Sequence, residues 1–134
     1  MKLKISTLAL LLFAFYTTQC LAQEGSKAIK QRNTAKFQKL VDKPEKLQFL
    51  DVRTAQEYAE SHIEGAENIN VLEEEAFLEG IKNLNKKKKI AVYCRSGKRS
   101  MKAAKILEEQ GFKKIYNLEG GILQWKEDEL PTVE

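Results

Sequence analysis

The stretch Ile90-Ala91-Val92-Tyr93-Cys94-Arg95-Ser96-Gly97-Lys98-Arg99-Ser100 decides the reading of this chain. A short apolar run ends in a cysteine. A basic loop containing one glycine follows, and the amphipathic segment Met101 to Glu109 continues without a break. This order reads as strand, loop, helix. It puts a sulfur at the C-terminal end of a strand and beside a helix N-terminus, where unpaired N–H groups and the helix dipole favour an anion. Arg95, Lys98 and Arg99 add positive charge. A thiol placed there has a depressed pKa and acts as a nucleophile. The loop is expected to be open to solvent, with Cys94 contributing little packing. The plainer reading is a small buried hydrophobe. The neighbouring cations oppose it, because an apolar site does not favour arginine.

Around this stretch, apolar runs alternate with helical patterns. Ala28 to Gln31 is a candidate edge strand, and Asn33 or Thr34 caps a helix carrying Phe37, Leu40 and Val41. Pro44 ends that helix. Leu47 to Val52 reads as a strand, followed by a capping box of Thr54 and Glu57. Ala66 to Val71 is a short strand candidate, Glu73 to Leu84 a helix, and Ile90 to Tyr93 a strand. Gly111 closes the helix Met101 to Glu109, Lys114 to Leu118 is the last strand, and Gly120-Gly121 opens a short helix with Ile122 and Trp125. The alternation predicts an α/β fold with a mainly parallel central sheet and helices on both faces. Ligands of such sheets bind beyond the carboxyl ends of the strands, where Cys94 lies.

The N-terminus reads as a leader. Lys2 and Lys4 precede the apolar run Leu8 to Tyr16, and Cys20-Leu21-Ala22 offers a cleavage site before Gln23. The run falls short of the about 20 residues that span a bilayer, so no stable membrane anchor is expected. Lipidation at Cys20 is disfavoured by Gln19. The predicted division is a cleaved signal peptide over 1–22, a flexible lead-in over 23–27, one domain over 28–130 and a tail over 131–134. The exported protein is periplasmic or secreted. Cleavage removes one of the two cysteines and leaves Cys94 alone. An unpaired thiol in an oxidising compartment is a flag for reactivity. The formal charge of +4 falls to +2 without Lys2 and Lys4. The run Lys86 to Lys89 reads as a solvated turn, so no nucleic-acid partner is expected.

The residues form a pattern of three motifs. Asp51-Val52-Arg53-Thr54-Ala55-Gln56-Glu57-Tyr58, continued by His62-Ile63-Glu64-Gly65-Ala66-Glu67-Asn68-Ile69, resembles the N-terminal signature of the rhodanese domain. Cys94 to Arg99 is similar to its six-residue active-site loop, and Gly120 to Trp125 to its C-terminal signature. Ser61 stands where the family usually has glycine. The resemblance implies a single-domain rhodanese. It implies a sulfurtransferase that moves a sulfane sulfur from thiosulfate or a persulfide donor to a thiol or cyanide, through a persulfide on Cys94. Arg95, Ser96, Gly97, Lys98, Arg99 and Ser100 would bind the anionic donor, with Arg95 and Arg99 on its oxyanion edge. No cofactor or metal is required.

Asp51, Arg53 and His62 read as structural support: an ion pair that fixes the loops, and a loop-fixing histidine. Trp125 reads as a core anchor. The partners implied are a small anionic sulfur donor and a thiol or cyanide acceptor, among which a redox protein. The domain is expected to be a monomer. Two alternatives remain. A persulfide carrier or binding module would share the loop without efficient turnover. A cysteine-based phosphatase or arsenate reductase uses five residues between Cys and Arg, whereas only Arg95 to Lys98 separate Cys94 from Arg99.

Overall fold

The computed structural model describes residues 25–134, and the expected leader over 1–22 lies outside the described residues. The chain runs β1 (Ile29–Arg32), α1 (Thr34–Val41), a 3-10 turn (Pro44–Lys46), β2 (Leu47–Asp51), α2 (Ala55–Glu60), β3 (Glu67–Asn68), α3 (Glu74–Ile81), β4 (Lys89–Tyr93), α4 (Lys98–Glu109), β5 (Ile115–Leu118) and α5 (Gly121–Glu127). The strands form one five-stranded sheet in the order β1-β5-β4-β2-β3. Every pairing is parallel, with Asp51 opposite Tyr93 and Ile90 opposite Ile115. This is an α/β fold of the predicted kind.

Local chemistry sets the helix starts. The Asn33 side chain accepts the Lys36 N–H at 2.9 Å and begins α1. Thr54 and Glu57 form the reciprocal capping box of α2, each side chain taking the other's backbone N–H. Strand β4 is covered on both faces, so its side chains alternate between two cores. Ile90, Val92 and Cys94 pack with Phe77 and Ile81 of α3 and with Ala103, Ala104 and Leu107 of α4. Ala91 and Tyr93 pack on the other side with Phe37, Ile122 and Trp125.

Three boundaries differ from those expected by more than one residue. β3 shrinks to two residues, although the Ile69 and Val71 N–H groups still donate to the carbonyls of Asp51 and Val52. α3 ends at Ile81, where Lys82 and Leu84 turn back through bonds to Glu79 and Ile81. α4 begins at Lys98 instead of Met101, because Gly97 turns the chain at φ +108°. The C-terminus also belongs to the domain. His62 and Val133 exchange both backbone hydrogen bonds, and the Trp125 Nε1–H donates to the Pro131 carbonyl at 2.9 Å.

A buried polar network crosses the top of β2 and β4. Asp51 is fully buried and accepts the Arg53 guanidinium at 2.6 Å and the Tyr93 hydroxyl at 2.6 Å. The Tyr93 oxygen in turn accepts the Ile63 N–H at 3.0 Å. Burial, then the Asp51 charge, push the Tyr93 hydroxyl far above its ordinary pKa, so it remains a donor. Tyr93→Phe is therefore expected to strip a partner from two buried groups and lower stability by about 1–3 kcal/mol. Urea unfolding would show it as a lower midpoint with an unchanged slope.

Candidate active site

Cys94 follows the last residue of β4, at the carboxyl edge of the sheet. Its exposure is 1%, so the sulfur is covered, contrary to the open position expected from the sequence. The cause is its alternation with Val92 into the α3–α4 core. Covering did not leave the sulfur in an apolar setting. The Gly97 N–H points at Sγ from 3.1 Å. Gly97 reaches this geometry through a positive φ that a side chain would resist. Ser100 is buried one turn into α4, its hydroxyl 3.1 Å from the Gly97 carbonyl and free to rotate its single proton toward the sulfur.

These groups set the thiol's acidity. Burial pushes the Cys94 pKa up. The Ser100 hydroxyl and the N–H groups of Ser100, Gly97 and Ser96 outweigh it, and the net value lies below the ordinary thiol. Hydrogen bonds at a helix start, more than the loop's cations, are the main cause.

The cations divide into two kinds. Arg95 and Lys98 are exposed on the rim and belong to no ion pair among the described residues. Arg99 is half-buried and paired. Its two terminal nitrogens grip the Glu57 carboxylate at 2.7 and 2.8 Å. The Arg99 contact, then the opposing effect of burial and the helping bonds from Thr54, hold Glu57 at a pKa of about 2. Arg99 is thus held by Glu57, which also caps α2.

The loop is clamped from outside by α5. Ile122 N–H donates to the Cys94 carbonyl at 2.9 Å, and Leu123 N–H to the Arg95 carbonyl at 3.2 Å. Carbonyls drawn toward α5 leave the loop's N–H groups for the sulfur. The approach is so close that a Cβ on Gly121 would stand 2.3 Å from the Arg95 oxygen.

The supporting residues fall away from the sulfur. Arg53 bonds Asp51 and reaches the Ser61 carbonyl at 2.8 Å. Ser61 has φ −170°, extended backbone that any residue adopts, so serine replaces the usual glycine without strain. His62 Nδ1 lies 2.9 Å from the Tyr58 carbonyl, which can only accept, so that nitrogen carries a proton. The imidazole stacks on Tyr58 at 3.8 Å. Sequence reading missed the Glu57–Arg99 pair and the Tyr93 hydroxyl. The pairing of Glu57 with Arg99 joins residues 42 apart and has no local signal. The clamp had one: the doubled glycine at 120–121.

Residues 33–128 match the rhodanese-like domain family. The chain belongs to the rhodanese-like family. Among its relatives is the candidate sulfurtransferase YtwF of Bacillus subtilis, 38% identical over 103 residues that make up 77% of this chain and 96% of that protein. Thiosulfate sulfurtransferase 18 of Arabidopsis thaliana is 37% identical over 63% of this chain and 70% of its own length. A candidate sulfur carrier protein of Bacillus subtilis, YrkF, is 36% identical, and the present rhodanese spans 55% of its length. Among solved structures, a rhodanese-related protein from Thermoplasma volcanium superposes with a TM-score of 0.65 at 34% identity, over 78% of this chain and 97% of that one.

Two titrations follow from this rhodanese site. The Cys94 thiol is expected to ionise below the free value of about 8.5, and Ser100→Ala to raise its pKa. Alkylation rate against pH reads both, and an unchanged midpoint in Ser100→Ala would remove the hydroxyl from the account. Glu57 has a folded pKa depressed from 4.5 to about 2. Its contribution is therefore complete above 4.5 and lost as pH falls toward 2. The stability gap between wild type and Glu57→Gln is expected to be present at neutral pH and to close across that window.

Proposed function

We propose that this rhodanese is a sulfurtransferase whose Cys94 carries the sulfur as a persulfide. The observation that supports it most is the sulfur held by the Gly97 N–H and the helix-start donors, a setting that favours an anion on that atom. The Cys94 thiolate attacks the outer sulfur of thiosulfate. A sulfur–sulfur bond forms, the donor's own sulfur–sulfur bond breaks, and sulfite leaves with the electron pair. The persulfide keeps one negative charge, which the same N–H groups stabilise. Cyanide or a thiolate then takes the outer sulfur, and the Cys94 thiolate returns.

The donor's oxyanion is met at the rim by Arg95 and Lys98, the loop cations outside any ion pair among the described residues. This favours a dianion such as thiosulfate over the monoanion 3-mercaptopyruvate. The N-terminal leader pattern supports an extracytoplasmic setting, in which the acceptor is a small thiol or a redox protein's thiol. A carrier role with slow turnover is favoured by one observation: Cys94 is only 1% exposed, which limits access of a donor to its sulfur.

The test is thiosulfate treatment followed by mass spectrometry and cyanolysis. A gain of one sulfur atom on wild type and none on Cys94→Ala is expected, with thiocyanate formed only by wild type. Absence of the adduct on wild type overturns the proposal, and an adduct without turnover assigns the carrier. Arg95→Ala with Lys98→Ala should lower kcat/KM for thiosulfate roughly tenfold or more through KM, since charge-assisted contacts contribute about 1.5–3 kcal/mol.

A further inference from the structure

The end of the sheet opposite Cys94 carries a lysine lattice that sulfur chemistry does not use. Parallel strands start together, and their registers place Leu47 beside Lys89 and Ile90 beside Ile115. Lys46, Lys88–Lys89 and Lys113–Lys114 therefore stand across the starts of three adjacent strands. Lys86, Lys87, Lys113 and Lys114 line a cavity of about 290 Å³ with Gly111. Lys39, Lys43, Lys46 and Lys89 line a second, of about 130 Å³, with Leu40 and Leu47. All of these lysines are exposed, and none pairs with a carboxylate among the described residues. The nearby acids are Asp42, Glu45, Glu108 and Glu109, too few to neutralise the face. The turn that presents the lysines is fixed, because Asn85 exchanges hydrogen bonds with the Gln48 side chain at 2.6 and 2.9 Å.

The lysines read as a solvated turn when Lys86 to Lys89 stand alone. Convergence of three separate segments on one end of the sheet changes that reading. We propose that this face docks on an anionic phospholipid surface. Three observations select lipid. The lysines spread across strand starts about 4.8 Å apart, which gives a broad face in place of a groove. Both cavities are lined without arginine or an aromatic ring, the groups that read phosphate forks and stack on bases in nucleic-acid sites. The chain also enters the domain here: Ser26-Lys27-Ala28 leads into β1 at the same end, where the Ala28 carbonyl accepts the Ile115 N–H. Lys27, exposed like the others, adds to the basic face at this fourth strand start. Lysine clusters at an anionic bilayer surface are attracted to its headgroups. Cys94 follows the five residues of β4, and so stands roughly 16 Å away at the far edge of the sheet.

The test measures partitioning of the full chain onto phosphatidylcholine vesicles and onto vesicles that also contain phosphatidylglycerol. Taking the ratio of the two cancels the apolar run, which enters both. Wild type is expected to give a ratio well above one that falls with added salt. Lys87→Gln, Lys89→Gln and Lys114→Gln together should lower the ratio roughly 100-fold, as about 1 kcal/mol per lysine implies. Arg95→Gln, Lys98→Gln and Lys102→Gln, near the opposite edge, should leave it unchanged. A wild-type ratio of one, or one indifferent to salt, overturns the proposal without any variant. Equal losses in the two triple variants, or tighter binding to duplex DNA than to the anionic vesicles at the same salt, also overturn it.

Discussion

One buried carboxylate holds the catalytic edge together. Asp51 sits at 0% exposure and accepts the Arg53 backbone N–H, the Arg53 guanidinium and the Tyr93 hydroxyl. Each partner passes the constraint on. Arg53 fixes the Ser61 carbonyl, Tyr93 fixes the Ile63 N–H, and Asn68 donates to the carbonyls of both Asp51 and Arg53. Two backbone groups of the loop from Ser61 to Asn68 are therefore held by the side chains of Arg53, just after β2, and Tyr93 of β4. A buried ion pair of this kind is not a source of stability in itself, because desolvation offsets the attraction. Breaking it is another matter. Loss of one partner leaves an uncompensated charge, at a cost of about 3–5 kcal/mol. The network acts by making one arrangement of the loops far better than any other.

The sulfur depends on a second constraint that works from outside. A loop of four residues between a strand and a helix can present either its carbonyls or its N–H groups inward. The N–H groups of Ile122 and Leu123 bind the carbonyls of Cys94 and Arg95 and settle the choice. Contact this close leaves no room for a side chain on Gly121. The inward N–H groups then carry most of what was expected of N–H groups and cations together. They lower the thiol pKa against the opposing effect of burial. Basic residues in the first turn of α4 oppose the helix dipole, and two anions relieve this. One is the Cys94 sulfur. The other is Glu57, whose carboxylate pairs with Arg99.

What the sequence made legible follows from the range of each interaction. The strand–loop–helix unit around Cys94 was readable because apolar periodicity, the glycine and the cysteine lie within a dozen residues. The start of α4 was not, since Lys98, Arg99 and Ser100 carry no apolar mark. Their helicity comes from the turn at Gly97. The burial of Cys94 was missed because alternation along β4 was followed only to Tyr93, one residue short of the sulfur. The pairing of Arg99 with Glu57 was missed for a different reason. The Arg99 charge suited an anionic substrate equally well, and only the fold shows that α2 delivers Glu57 to it. The capping box that marks α2 was visible, yet nothing local distinguishes a glutamate that caps from one that also holds an arginine.

The two ends of the sheet have opposite uses for positive charge, and the physics of parallel strands explains how both arise. At the carboxyl ends, strand–helix loops point N–H groups at one atom, so few charges are needed and most of the work is done by dipoles. At the amino ends, helices arrive by their carbonyl ends, which favour cations. Lys43, Lys46, Lys86 to Lys89, Lys113 and Lys114 sit in the connections that lead into the strands. They are exposed, so water solvates them in the folded state. The unpaired charge that results is long-ranged at low salt, whereas the dipoles around Cys94 act only on what touches them. A fold of this kind can therefore be oriented by one edge and react at the other, with little interference between the two.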